Sequence, residues 1–248
     1  MAAQNAGNAK NILVGASPLF ISNLDVTAGS TYKENAEPGS ADAGAFASGV
    51  SYTKTLNDAT LTSTPTFYYR NVGFTNNGLQ ITYNPTYESV TVDQLLDTAK
   101  LFKSAMEVMI ATEMSEGTLE NILVVFGQGD TTGSSLSATN TLIEDAGFGA
   151  GTANATKTLG LAAGALGIAP TERQLIAVGQ APTTTDGANN KSTERVYYAR
   201  RVLSVQQSQF SLARSTPTTF PVTFRLLPTA MAGYEGQEYG KIIDRVLA

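Results

Sequence analysis

The sequence predicts a mainly β protein, an antiparallel sandwich or barrel with one flanking α-helix at about residues 115–127. Three observations carry this. Apolar and polar residues alternate with period 2 in several short segments separated by turn-forming residues. One stretch, Leu119, Ile122, Leu123 and Phe126, has the i, i+3, i+4, i+7 spacing of a single helical face. Charged residues are only 15% of the chain, and Thr, Ser, Asn and Gly stand in their place, a surface chemistry suited to strands, turns and broad protein contacts.

In chain order, Met1 to Lys10 is small and polar and reads as a mobile arm, and Ile12 to Val26 as an extended apolar stretch. Residues 28–50 are rich in Gly, Ala, Ser and acid and read as a long loop. Ser51 to Leu56 alternates weakly. Asn76-Asn77-Gly78 is a strong turn signal, after which Leu79, Ile81 and Tyr83 alternate with Gln80 and Thr82 as a half-buried strand does. Glu88, Val90 and Val92 share one face of the next segment, and Val108, Ile110 and Thr112 share a face of another. Between them, residues 95–106 (LLDTAKLFKSAM) fit a short helix, a loop or a strand.

The helix has Ser115 to cap its start, Glu116 and Glu120 near its positive end, and Gly127 to stop it. Residues 128–170 are Gly-, Ala-, Ser- and Thr-rich and read as a loop-rich insertion. Strands are then expected at Leu175–Val178, Val196–Val205, Gln209–Ala213 and Thr219–Leu226. In the last, Phe220, Val222, Phe224 and Leu226 face the core, and Pro221 marks a strand start or an edge. Lys241 to Leu247 is a short amphipathic stretch. No tandem repeat divides the 248 residues, so residues 1–248 are read as one domain.

Composition excludes much chemistry. The chain has no Cys and no His, which removes disulfides, Cys-His and Ser-His-Asp catalysis and ordinary zinc sites. No catalytic residue, metal site or cofactor is assigned. A net charge of -5 argues against phosphate-neutralising nucleic-acid binding. The charge is uneven: residues 1–125 hold 6 Lys and Arg against 12 Asp and Glu, whereas residues 126–248 hold 10 against 9. No run approaches the ~18 apolar residues of a membrane helix, and Gly15, Ser17 and Pro18 break the apolar stretch after Lys10, so neither a membrane partner nor a signal peptide is expected.

Other motifs have plain structural readings. Gly127, Gly129 and Gly133 lack the spacing of a dinucleotide loop and read as a helix stop plus turn. Gly160 and Gly164 lie in an apolar run too short for a membrane helix. The acidic pairs Glu34/Glu37, Glu113/Glu116, Glu144/Asp145 and Glu235/Glu238 carry no signal that two acids converge as a glycosidase requires. Arg195, Arg200, Arg201, Arg214 and Arg225 fall in or beside strands and read as structural ion-pair formers, with Arg200 and Arg201 on opposite faces.

Two stretches resemble a known family. Asn71 to Gly127 contains a Gly78–Tyr83 hairpin segment, an acidic Val90–Gln94 (VTVDQ) segment, a Glu107–Thr112 strand and a Thr118–Gly127 helix beginning TLEN. Arg195 to Pro228 contains RVYYARRVL and then TFPVTFRLLP. Both are similar to the tail tube (major tail) proteins of siphophages. The resemblance implies a tail-tube-like β-sandwich whose copies form hexameric rings, stacked into a hollow tube that conducts the genome to the host. It implies residence in the virion tail after assembly in a host cytoplasm. The implied partners are further copies of the chain, tape-measure, tail-terminator and distal tail proteins, and DNA in non-specific passage. Glu88 and Glu107 are lumen candidates. The alternatives are another self-assembling ring or tube protein (secretion-system tube-like), a capsid-decoration protein or surface-layer subunit, or a carbohydrate-active enzyme or lectin-like domain.

Overall fold

The computed structural model describes residues 17–22, 69–91, 97–128, 142–145, 151–161, 170–182, 193–205, 208–212, 217–230 and 233–247, and the isolated positions 15, 51, 53, 56, 93, 148, 163, 214 and 215. The chain runs β1 (Leu19–Ser22), β2 (Tyr69–Asn71), β3 (Thr75–Thr91), β4 (Thr98–Met114), α1 (Leu119–Val125), β5 (Leu142–Glu144), β6 (Lys157–Leu159), β7 (Arg173–Gln180), β8 (Thr193–Ser204), β9 (Phe220–Leu226) and β10 (Gly240–Val246). Eight strands form one antiparallel sheet, ordered β2-β1-β7-β8-β9-β4-β3 with β10 attached to β8. β5 and β6 pair separately. The mainly β, antiparallel fold with one flanking helix is therefore what the chain adopts.

Its layering comes from a fork in a single sheet rather than from two separate sheets. One edge of β8 is lined by β7 from Glu194 to Val202. The other edge is shared: β10 takes Thr193 to Ala199, and β9 takes Val202 to Ser204. The fork falls at Arg200 and Arg201. Beyond it, β9-β4-β3 diverges from β10, and apolar side chains of β9 and β4 meet those of β1 and β7. Leu19, Ile21, Leu175 and Ala177 on one side join Ile110, Val222, Phe224 and Leu226 on the other in one buried cluster. The opposite face of β1, β7 and β8 buries Phe20, Ile176, Val178, Val196 and Tyr198 in a second cluster. Covered on both faces, β7 is buried without interruption from Arg173 to Val178, which is why this segment reads as an apolar run rather than an alternation. Phe220, Val222, Phe224 and Leu226 are all buried, while Pro221 sits at the start of β9, ahead of its pairing with β8.

The helix is shorter than expected. Thr118, not Ser115, caps it, its hydroxyl accepting from the Asn121 amide. Ser115 is instead held back by its amide, which donates to the Phe74 carbonyl. Seven residues cannot keep positions i to i+7 on one face. Leu123, Val124, Val125 and Asn121 are buried, Leu119 and Ile122 are half-buried, and Phe126 lies beyond the helix, exposed.

Further differences from the sequence expectation lie in the ambiguous segments. Residues 98–106 belong to strand β4. At Ser51–Leu56, Thr53 and Leu56 are helical. The expected strand at 209–213 is absent from its described residues, where Phe210 packs on Phe220 with ring centroids 4.8 Å apart. Within 128–170, β5 and β6 form a small hairpin tied to α1 by Lys157, whose ammonium contacts Glu120 and lies 2.6 Å from Glu144. The arm 1–10 and the loop 28–50 lie outside the described residues.

β10 buries no side chain fully. Besides its backbone ladder, cross-strand charge pairs hold it. Arg195 grips Asp244 through two hydrogen bonds of 2.5 and 2.6 Å, and Arg245 lies 3.2 Å from Glu194. The Arg195 hydrogen bonds hold the Asp244 carboxyl below the ordinary aspartate range. A lowered native pKa contributes stability above the unfolded value, about 3.9, and that stability is lost as pH falls through the native value. The pair is largely exposed, so its contribution is about 0.5 kcal/mol. Acidification from pH 5 to pH 3 should therefore speed β10 amide exchange, corrected for intrinsic rates, about twofold relative to β7. Asp244→Asn should remove that difference; an unchanged difference means that the pair does not hold the strand.

Candidate assembly surface

β3 and β4 are 17 residues each, so their ribbon is roughly 55 Å long at ~3.3 Å per residue. β9 flanks β4 only from Met109 to Met114. Farther out, no third strand joins the pair among the described residues, and the side chains from Thr86 to Thr91 and from Thr98 to Ala105 are exposed. Two register shifts, at Thr86/Tyr87 and Val90/Thr91, interrupt this outer half.

The root of the ribbon is firmly held. Asn121, fully buried, donates to the Val72 and Glu116 carbonyls at 2.9 Å and accepts from Arg70 Nη1 at 2.5 Å. Glu116 accepts from the Phe74 amide at 3.0 Å. The side chains of Asn76 and Asn77 donate to Glu113. Asn77 and Gly78 adopt φ of 58° and 67°, the left-handed conformation expected of this pair, but they make a bulge inside β3 rather than a turn. The ladder steps from Asn76↔Glu113 to Gln80↔Ala111, and Thr112 Oγ1 donates to the Gly78 carbonyl, so the strand continues past the bulge.

Register assigns the ribbon two unlike faces. Ile81, Tyr83, Pro85, Tyr87, Leu101 and Met106 extend the face that begins in the core at Val108 and Ile110. Of these, Tyr83 is 61% exposed and Leu101 64%, so the apolar stripe runs out of the core into solvent. The Leu79, Ile81, Tyr83 alternation is thus a strand, with Ile81 and Tyr83 exposed rather than half-buried. The other face is more polar. Glu88 pairs with Phe102 and Glu107 with Asn84, which brings the two glutamates to this same face, roughly 13 Å apart along β3. Glu107 also lies 3.7 Å from Arg225.

Where the fork opens, the two branches leave an apolar groove of about 820 Å³. Ile81, Tyr83 and Met106 line one wall, and Tyr197, Tyr239 and Ile242 the other. Lys103 and Lys241 also line it, one on each branch. Sequence reasoning did not find this groove. Its one sequence signal was Ile242, an apolar residue in the amphipathic C-terminal stretch that is exposed and lines the groove.

Several other titratable groups make structural contacts. Asp145 accepts from the Thr156 amide and hydroxyl, both at 2.8 Å. Glu235 and Glu238 accept from the Gly233 and Gly236 amides. Arg200, fully buried, lies 3.7 Å from the Tyr234 ring centre and donates to the Gln237 carbonyl, while Arg201 forms a two-point pair with Glu172 at 2.6 and 2.8 Å. Arg200 thereby holds the connection from β9 to β10, and Arg201 also donates to the Pro228 carbonyl at its start, at 3.0 Å. Among the described residues no group of three His, Cys, Asp or Glu is placed to hold a metal ion.

The class these features define is an antiparallel β protein with a forked sheet and a long projecting ribbon. No family model matches the chain, and no curated protein matches it.

Proposed function

We propose that this chain is a self-assembling structural protein, the tube subunit of a long-tailed phage tail, whose hexameric rings stack into a hollow conduit for the genome. The observation that carries the reading is the ribbon. A two-stranded hairpin is marginally stable in water, and a long edge strand is a template for association. A ribbon that exposes Tyr83, Tyr87, Leu101 and Phe102 is best accounted for by burial in an assembly.

The polar face with Glu88 and Glu107 is assigned to the lumen. Each neutralised phosphate would add affinity for DNA and impede its passage, whereas carboxylates repel the duplex. The absence of His and Cys and the structural use of the carboxylates accord with a protein that does no chemistry. In the virion, tape-measure, terminator and distal tail proteins would complete the tube.

Negative-stain electron microscopy across a concentration series tests this. Hollow rings that stack into tubes wide enough for duplex DNA are expected. Assemblies without a channel favour capsid decoration instead, and a monomer throughout the series overturns the reading.

A further inference from the structure

We infer that Pro85 and an extra residue at Ser104 close both edges of the β3–β4 ribbon at one level, so that a second copy meets the ribbon through its side-chain faces and not by lengthening the sheet. The closed edges stand on the fold alone; the contact through the faces rests on the self-assembly reading above.

β3 ends the strand order, and no further strand joins its outer side among the described residues. Its ladder with β4 runs without interruption from Gln80↔Ala111 to Thr86↔Ala105. A free edge of this kind, with Ile81 and Tyr83 exposed on it, would recruit another strand. Pro85 lies inside that run, opposite Met106. Proline has no N–H to give, and within a sheet it is tolerated where the missing donor lies away from the ladder. Its ring nitrogen therefore faces the outer edge, the side to which the amides of Ile81 and Tyr83 also point. An incoming strand would meet the ring carbons of Pro85 where its own carbonyl needs a donor. That unpaired carbonyl offsets the bonds made beside it.

β4 carries the matching interruption. The ladder moves from Thr86↔Ala105 to Tyr87↔Lys103, one residue along β3 and two along β4, so Ser104 is extra. It sits beside the Pro85–Met106 pair and outside the stretch of β4 that β9 flanks. A bulge leaves its residue unpaired, bends the strand and turns the edge away from a flat partner. Lys100 and Lys103, both exposed, add charge to the same strand. Proline on one strand and a bulge on the other thus interrupt both edges at the same height. The side chains of Tyr83, Tyr87 and Leu101 remain open on the ribbon's face.

Restoring the donor tests it. Pro85→Thr, at a half-buried position, should keep the parent's circular dichroism. By sedimentation it should begin to associate at a concentration about tenfold lower than the parent, the worth of roughly one hydrogen bond. In its assemblies the Ile81 and Tyr83 amides should be protected from hydrogen exchange, whereas in the parent's assemblies they should exchange as in the monomer. Asn84→Thr makes a similar gain in strand propensity without adding an outward N–H, and should associate like the parent. The inference fails if Pro85→Thr associates no more readily than the parent or than Asn84→Thr. It fails equally, with no variant needed, if the parent's own assemblies protect Ile81 and Tyr83, because copies then pair along β3. If the parent never associates while Pro85→Thr does, the tube reading falls and the closed edge stands.

Discussion

Phe224→Asp is expected to leave no folded protein. Phe224 is 1% exposed at the centre of β9, opposite Ile110 of β4 and Ser204 of β8. It lies where β4 and β9 meet β1 and β7, in the cluster that includes Leu19, Leu175 and Val222. Truncating a buried Phe costs roughly 3–5 kcal/mol, and an unpaired carboxylate in its place adds several more. That sum is comparable to the whole stability of a typical domain, ~5–15 kcal/mol. Far-ultraviolet circular dichroism and thermal melting should show no cooperative transition. Phe224→Leu should fold at a cost of about 1–2 kcal/mol. Arg225→Asp, one residue on and facing the other way, loses only a contact to Glu107 and should fold. A cooperative melt for Phe224→Asp would mean that the core-facing assignment of β9 is wrong.

The same alternation explains what the sequence revealed and what it hid. Phe220 to Leu226 could be read because each apolar side chain meets its own core, and period 2 then states the face directly. Leu79, Ile81 and Tyr83 carry the same pattern, yet Ile81 and Tyr83 lie outside the core. Periodicity marks a side that avoids water without marking whose surface covers it. The 95–106 segment was ambiguous because a ribbon exposed on both faces, as at Thr98 to Ala105, has no core-facing side to enforce alternation. Placing Glu88 and Glu107 on one face depends on the Asn84↔Glu107 pairing, an even number of residues from Glu88 along β3, which no residue pattern announces. The groove was illegible for a different reason: its walls, Ile81 and Ile242, are 161 positions apart in sequence and meet only because β9 and β10 share one edge of β8.

That shared edge sets the second large effect, Gly240→Ala. Gly240 opens β10 at φ +146°, and its backbone is pressed against β8. A Cβ there would lie 1.9 Å from the Tyr198 carbonyl oxygen and 3.1 Å from Ala199 Cα, both backbone atoms of a central strand that cannot swing aside. The start of β10 must therefore yield. No fully buried side chain anchors that start, and the charge pairs that hold β10, Arg195–Asp244 and Arg245–Glu194, lie farther along the strand. Backbone strain of about 1–3 kcal/mol, added to the steric conflict, is enough to release the strand while β7 to β9 keep their own burial. Amide exchange should rise about 30-fold or more in β10 and remain unchanged in β7. Gly236→Ala, at φ +81° with nothing within 4 Å of its added carbon, should show at most a mild local effect. Full protection of β10 in this variant would show that the β8–β10 contact has more room than the close approach at Tyr198 implies.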